Sequence, residues 1–428
     1  MRLFRGRFLC YYRLMKIAIF SDCYLDLTGG IVTTINAEKK ELEARGHTVY
    51  IFSSAYPKSE KEKQTLAKEH IFPIKSCRVL GRGLTPIARR PKIIERQLEK
   101  NYPELKNFDI FYIHYEAGCS IAGIRLAKKY HVPVIQVMHG REDVGEENLI
   151  PYGFRTFVAI LLNMFHSWYL PHNIKVKRDN YLADTTAKAK MWTLMVNHAN
   201  AADLVTTPSK HFFKKLKHYG VTKPMIDLPH GLDDILFKDV PPTRDLALDQ
   251  KLEIIWHSRL SGEKRIIPFL QALNHLNPNK YHFSVYGDGP EAKHAKSYAK
   301  KHQLNATFYG NQPHKNIIEA IKKSHLDVLT SYNFDNYPLT LVEAEISGLP
   351  VFMVDKDMTE ILPDNSYVIS SEPTPKSMAK ALNSLIDHPE KISKMSEVML
   401  KQRDEKKISL KINKLEKIFK ELVKKSQN

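Results

Sequence analysis

A chain of 428 residues, 43% hydrophobic and 26% charged, is long enough for two domains of ordinary size, each with its own core. The formal net charge of +18 and the pI near 9.4 suit a polyanionic partner: nucleic acid, anionic lipid or an anionic sugar polymer. Cys10, Cys23, Cys77 and Cys119 are scattered without CxxC spacing, which argues against a zinc site or a disulfide framework and fits a reducing cytosol.

No apolar run approaches the roughly 18 residues of a spanning helix. The richest stretch, Phe157 to Phe165, is too short. Residues 1–14 are basic and aromatic and lack the apolar run and small-residue cleavage site of a signal peptide. They read as a non-core extension from an upstream start, a short membrane-contacting segment being the alternative.

Lys16 to Ser21 (KIAIFS) reads as a buried first strand. A loop with Gly29 and Gly30 follows, then a helix from about Ile31 to Arg45, a Gly46-His47 cap and a strand from Thr48 to Ser53. Such a β-loop-α-β unit opens a doubly wound sheet. Ile110 to His114 and Val132 to Met138 continue it, with a helix around Ile121 to Tyr130 between them, and Leu204 to Thr207 is a later strand. After a polar, Pro-containing stretch from Lys238 to Gln250 the pattern restarts. Glu253 to His257, His282 to Tyr286, Ala306 to Tyr309 and Leu326 to Thr330 read as strands with helices between them. The expected class is α/β, with two Rossmann-like doubly wound domains. The expected division is an extension over 1–15, domains over 16–238 and 239–395, and a Lys-rich amphipathic helical end over 396–428.

Ser331 to Val351 carries the most chemistry. Asp335 and Glu343 stand eight residues apart; Pro338, Leu339 and Thr340 end a loop and begin a helix that Gly348 closes. A loop running into a helix N-terminus suits phosphate. A carboxylate about one turn further suits hydroxyl groups, because it accepts two hydrogen bonds. Phosphate and sugar hydroxyls together describe a sugar nucleotide. Arg259 and Lys264 follow the strand that ends at His257, where ligands sit in open α/β sheets. Two cations there neutralise a diphosphate, unless they are an ordinary surface pair. Gly287 and Gly289, in Tyr-Gly-Asp-Gly-Pro, let backbone approach a ligand closely; taken alone they mark a turn.

Strand, Arg-x4-Lys, Gly-Asp-Gly-Pro, then acid-x7-Glu-Ala-x3-Gly-x-Pro, in that order between residues 255 and 351, resembles the retaining GT-B glycosyltransferases of glycosyltransferase family four. The resemblance implies a GT-B fold: an acceptor-side first domain and a nucleotide-sugar-binding second domain facing a cleft. It implies that Arg259 and Lys264 bind the donor diphosphate, that Glu343 binds the ribose hydroxyls and that Asp335 contacts the donor sugar. Gly287, Gly289, Pro338, Leu339 and Thr340 would complete the donor pocket. Asp335 stands where the family usually has Glu, and Pro338 where it usually has Gly.

In the first half, Ser21-Asp22-Cys23-Tyr24-Leu25 and Gly29-Gly30-Ile31-Val32-Thr33-Thr34-Ile35 are similar to the opening of the bacterial diacylglycerol glucosyltransferases of that family. This implies Gly29 and Gly30 beside the donor, and Asp22 and Tyr24 on the acceptor side. Met138 to Asp143 resembles the segment in which His139 meets the donor sugar near the acceptor hydroxyl, with Arg141 and Glu142 toward the acceptor. Thr207-Pro208-Ser209 and the run from Leu228 to Asp233 also parallel the family; Ser209 falls on the donor side, and His230 either contacts the donor or caps its loop. His139, Arg259, Lys264 and Asp335 form the expected catalytic set.

Leu84 to Lys100 mixes basic and apolar residues. Gly153 to Lys177 holds Phe154, Phe157, Leu161, Leu162, Phe165, Trp168 and Tyr169, bordered by Arg155, Lys175, Lys177 and Arg178. Such composition suits a helix in an anionic membrane interface, or equally a domain core. The resemblance implies a UDP-sugar donor, glucose foremost, a lipid acceptor such as diacylglycerol or a glycosyldiacylglycerol, and an α-linked product. The place implied is the cytoplasmic face of the membrane. No motif calls for a divalent metal. A polymeric or teichoic-acid-type acceptor is the same-class alternative. A nucleic-acid-binding protein lacks its motifs here, so no nucleic acid is expected, and a GT-B sugar-nucleotide epimerase fits the charged set less well.

Overall fold

A computed structural model describes residues 14–23, 29–54, 59–74, 76–77, 87–88, 90–144, 150–240, 243–247 and 249–427. Tyr24, residues 1–13 and much of the stretch before Pro91 lie outside the described residues.

In the first half the chain forms β1 (Lys16–Ser21), α1 (Gly30–Ala44), β2 (Thr48–Ser54), α2 (Glu60–Lys68), β3 (Ile71–Ile74), and a small antiparallel ladder of β4 (Ser76–Cys77) and β5 (Ile87–Ala88). Then come α3 (Pro91–Asn101), β6 (Ile110–His114), α4 (Gly118–Tyr130), β7 (Val134–Val137), α5 (Arg155–Ser167), α6 (Thr186–Ala199), β8 (Leu204–Thr207), α7 (Lys210–Tyr219) and β9 (Met225–Asp227). The second half runs β10 (Leu252–His257), α8 (Ile266–Leu273), β11 (Tyr281–Tyr286), α9 (Ala292–Lys301), β12 (Ala306–Gly310), α10 (His314–Lys323), β13 (Leu326–Leu329), α11 (Leu339–Ile346), β14 (Val351–Met353) and β15 (Tyr367–Ile369). It closes with α12 (Pro375–Ile386), α13 (Glu390–Gln402) and α14 (Ile408–Gln427).

Among the described residues the first half holds a sheet of order β3-β2-β1-β6-β7-β8-β9 and the second one of order β12-β11-β10-β13-β14-β15, both parallel throughout. Strands of a parallel sheet are covered on both faces, which is why β1 and β6 are continuous apolar runs buried along almost their whole length. Winding outward both ways from the first strand leaves a switch point in each sheet, β1/β6 and β10/β13, and ligands bind outside the carboxyl ends of strands there. The register Ser21↔His114 brings the loops after β1 and β6 side by side.

The C-terminal stretch divides between the halves. α13 packs Ile392 and Met395 into the core of the second half. The chain then turns back, and α14 lays Ile408, Ile412, Leu415, Phe419 and Val423 on the first half, against Ile17, Ile35 and Leu42. Their spacing of three and four places them on one helix face. The expected boundary at residue 396 thus falls inside α13, and the Lys-rich end is a structural part of the first half. The outgoing and returning crossings run together: Leu232 N donates to Lys406 O at 2.9 Å and Ile408 N to Leu232 O at 2.9 Å. Gly231 permits this, because a Cβ there would lie 2.8 Å from Ile408 Cα. The halves also touch through Lys215 Nζ and Asp357 at 2.6 Å, and His211 Nδ1 and Glu360 at 2.8 Å.

Candidate active site

The second half supplies a charged wall. His257, the last residue of β10, is buried with Nε2 3.2 Å from Asp327 Oδ1 and Nδ1 3.3 Å from Glu343 Oε2. His314 Nε2, at the start of α10, lies 2.8 Å from Glu343 Oε1. Burial works to raise the Glu343 carboxyl, but hydrogen bonds from the two histidines outweigh it and hold the group at about 2. Burial likewise works to lower His257, and Asp327 and Glu343 overcome it and carry the imidazole up to about 10. Glu343 is therefore an oriented carboxylate. Neither histidine stands out locally in the sequence: His257 reads as one more strand residue and His314 as a helix start.

Lys264 Nζ meets both oxygens of Asp335, at 2.7 and 2.8 Å, and Ser331 Oγ donates to the same carboxylate. Arg259 pairs with Glu263 at 2.7 Å while its side chain stays 57% exposed. One Arg259 nitrogen is thus engaged, and a guanidinium has further donors to offer. The two glycines of Gly287-Asp288-Gly289 act differently from expectation. A Cβ on Gly287, whose φ is +129°, would lie 2.2 Å from Ser258 O, and one on Gly289 would lie 2.3 Å from Leu260 O. They let this loop pack on the Arg259 loop, and so hold the arginine from behind.

Pro338 is the N-cap residue of α11, without a side-chain cap, so the first-turn amides of Leu339 and Thr340 lack helical partners. Gly29 is likewise the uncapped N-cap residue of α1. A Cβ on Gly30 would touch Leu339 Cδ1 at 3.9 Å, while one on Gly29 would have nothing within 4 Å. Two helix N-termini, one from each half, therefore meet across the cleft, and each favours negative charge.

The first half supplies a neutral wall. His139, after β7, places Nε2 2.9 Å from His114 Nδ1, and its ring stacks on His230 at 5.2 Å. Burial, helped by the Lys411 charge, lowers His139 to about 3, so it stays neutral at physiological pH. Asn336 Nδ2, next to Asp335, donates to His139 O at 3.2 Å, which sets the two walls against each other. Glu142 accepts from the Tyr115 hydroxyl at 3.3 Å, and burial pushes its carboxyl up to about 7. Glu116, which follows β6, is raised well above the carboxylate range by burial and by Glu142.

Two expected contacts take other roles. Asp22 is completely buried; its oxygens accept from Cys119 N at 2.7 Å and from Ser120 N and Oγ at 3.1 and 2.8 Å. It caps the N-terminus of α4 and is spent there, not on an acceptor. Arg141 turns inward to Asp143 at 2.5 Å and donates to Asn333 O at 2.8 Å, so it fastens one half to the other. Ser209 is the buried N-cap residue of α7, and its Oγ has no hydrogen-bond partner among the described residues. Among the described residues, no group of three or more His, Cys, Asp or Glu side chains is placed to hold a metal ion.

α5 settles the core-or-surface alternative. Phe157, Ile160, Leu161, Met164 and Trp168 form one exposed stripe, with Phe157 61% and Trp168 64% accessible, whereas Ala159 and His166 face inward. Among the described residues no helix is long and apolar enough to cross a membrane.

Comparison with known proteins agrees with this architecture. The family described as Glycosyltransferase Family 4 matches residues 28–234, and Glycosyl transferases group 1 matches residues 244–402. The chain is 24% identical over 361 residues to the alpha-monoglucosyldiacylglycerol synthase of Acholeplasma laidlawii, covering 79% of this chain and 80% of that protein. It is 28% identical over 350 residues to the synthase of the same name from Streptococcus pneumoniae, covering 79% and 70%. The solved structure of Anabaena HepE in complex with UDP-glucose superposes with a TM-score of 0.63 at 15% identity, covering 94% of this chain and 98% of that one.

Proposed function

Because the chain belongs to the GT-B glycosyltransferases and is a hexosyltransferase, with its family 4 and group 1 domains in tandem, we propose that it moves glucose from UDP-glucose to diacylglycerol or a glycosyldiacylglycerol with retention of configuration. The convergence of the α1 and α11 N-termini beside Lys264 carries the donor half of this reading. Amide dipoles from both halves and the Lys264 and Arg259 charges then surround the diphosphate, and Glu343 takes the ribose hydroxyls. In the transfer, the bond from the anomeric carbon to the diphosphate oxygen breaks. The acceptor oxygen bonds to the same face of that carbon, and its proton passes to the departing diphosphate. Asp335 and the neutral His139 flank the sugar.

The exposed stripe of α5 supports the lipid half. Five apolar side chains bordered by Arg155, Lys175, Lys177 and Arg178 suit the boundary between headgroups and acyl chains, at the cytoplasmic face of the membrane. The test offers UDP-glucose, UDP-galactose, UDP-N-acetylglucosamine and GDP-mannose against diacylglycerol vesicles and against a teichoic-acid polymer. The expected product is an α-linked glucolipid made from UDP-glucose. Polymer glycosylation with no lipid product would replace the lipid acceptor, and turnover of GDP-mannose alone would replace the donor.

A further inference from the structure

Although the C-terminal helix is rich in lysines, one of them is not a surface charge. Lys411 turns into the first half, where its side chain is 3% exposed and forms an ion pair with Glu38, itself fully buried on α1. Its Nζ also lies 3.0 Å from His230 Nδ1, in the crossing segment. An ammonium only donates, so His230 Nδ1 carries no proton. On the other side of Glu38, Oε2 lies 3.6 Å from His114 Nε2, which has no closer partner among the described residues. A carboxylate facing that nitrogen favours the proton on Nε2 and leaves His114 Nδ1 as an acceptor. The bond of 2.9 Å between His114 Nδ1 and His139 Nε2 then requires the proton to sit on His139 Nε2, leaving His139 Nδ1 with a free lone pair. The Tyr112 ring packs edge-on against His114 and the Tyr337 ring against His230.

A buried ion pair of this kind is weak support for stability, since desolvation offsets most of its attraction. What it does supply is a fixed charge order in a space where three imidazoles touch. We propose that Lys411, delivered from the last helix, is a positioning residue for the transfer: together with Glu38 it fixes the protons of His230 and His114, and through His114 it holds His139 as the neutral tautomer whose Nδ1 is free to accept from a substrate hydroxyl. The proposal rests on the transfer reaction above for its consequence, but its geometry does not. The same lysine stands beside the paired crossing segments, so the state of His139 is tied to how the two halves join.

The test uses the full chain with Lys411→Met, Lys411→Arg and the double variant Glu38→Gln/Lys411→Met, which removes both buried charges in case the single change prevents folding. Nitrogen-15 NMR of the histidine side chains reads the tautomers. In the unaltered protein His139 is expected to carry its proton on Nε2 and not to titrate between about pH 5 and 8. Lys411→Met and the double variant are expected to shift part of the His139 proton from Nε2 to Nδ1, and to lower kcat by about tenfold to a hundredfold with little change in the donor KM. Lys411→Arg should restore much of both. An unchanged His139 spectrum and kcat in Lys411→Met, or in the double variant, would overturn the assignment. The spectra are read without turnover, so a wrong donor or acceptor leaves the tautomer result standing.

Discussion

At the end of β10, His257 is buried between two carboxylates and stays charged; at the end of β7, His139 is buried beside two other imidazoles and stays neutral. The carboxylates divide in the same way. Glu343 is clamped by two histidines and held at about 2, while Glu142 accepts one phenolic hydrogen bond and is pushed up to about 7. Both walls are desolvated, so burial alone does not explain the difference. Partners do: the second half supplies an opposite charge to each group, and the first half supplies mostly neutral or like-charged neighbours. One wall is thus organised around charge that does not change, as a nucleotide diphosphate demands. The other presents neutral imidazoles, with the paired Lys411 and Glu38 charges behind them, where a neutral hydroxyl must enter and lose a proton.

Lys264→Ala breaks this contrast most severely. Loss of a preorganised cation from the charged wall is expected to lower kcat by about 10²–10³-fold, with the circular dichroism spectrum retained. Glu343→Gln removes the clamped charge; UDP affinity measured by calorimetry should weaken by about 1.5–3 kcal/mol. Gly287→Ala acts on the scaffold behind Arg259. Its Cβ meets Ser258 O at a backbone angle unsuited to alanine, and unfolding in urea should show a loss of about 1–3 kcal/mol. The smallest effect is the most diagnostic, because substitutions in the two walls should move stability in opposite directions and in different pH windows. His257 is raised from 6.5 to about 10, so its stabilisation is complete below 6.5 and disappears as pH rises through 10. His257→Gln should lower the melting temperature most below 6.5. Glu142 is raised from 4.5 to about 7, so it costs nothing below 4.5 and destabilises increasingly as pH rises through 7. Glu142→Gln should therefore raise the melting temperature above pH 7 and leave it unchanged below 4.5. Equal responses in both variants would dissolve the comparison.

The two α/β halves were legible because parallel strands are continuous apolar runs and their helices repeat between them. The positions of Arg259, Lys264 and Glu343 were legible because each sits a short, regular distance from a strand end or helix start. The clamp on Glu343 was not. His257 lies 86 residues before it, and a contact across a switch point leaves no periodic trace. The role of Asp22 was misread for a related reason. A carboxylate after β1 faces either the cleft or the helix that β6 leads into, and the strand register decides which. The apolar face of α5 was visible as composition, yet composition cannot say whether a stripe is covered. The inward turn of Lys411 was hidden among similar lysines, because only its place on the buried face of α14 distinguishes it.

The return of the chain has a consequence for its synthesis. The first half is made before the second, but one face of its sheet is covered by Ile412, Leu415 and Phe419, which emerge only after the second half. Domains commonly fold in the order of their synthesis. Here the earlier half must wait, with an apolar face uncovered, until the later half has been made and the final turns of helix are released. A fragment ending near residue 240 should accordingly aggregate, and joining residues 408–427 to it should restore solubility.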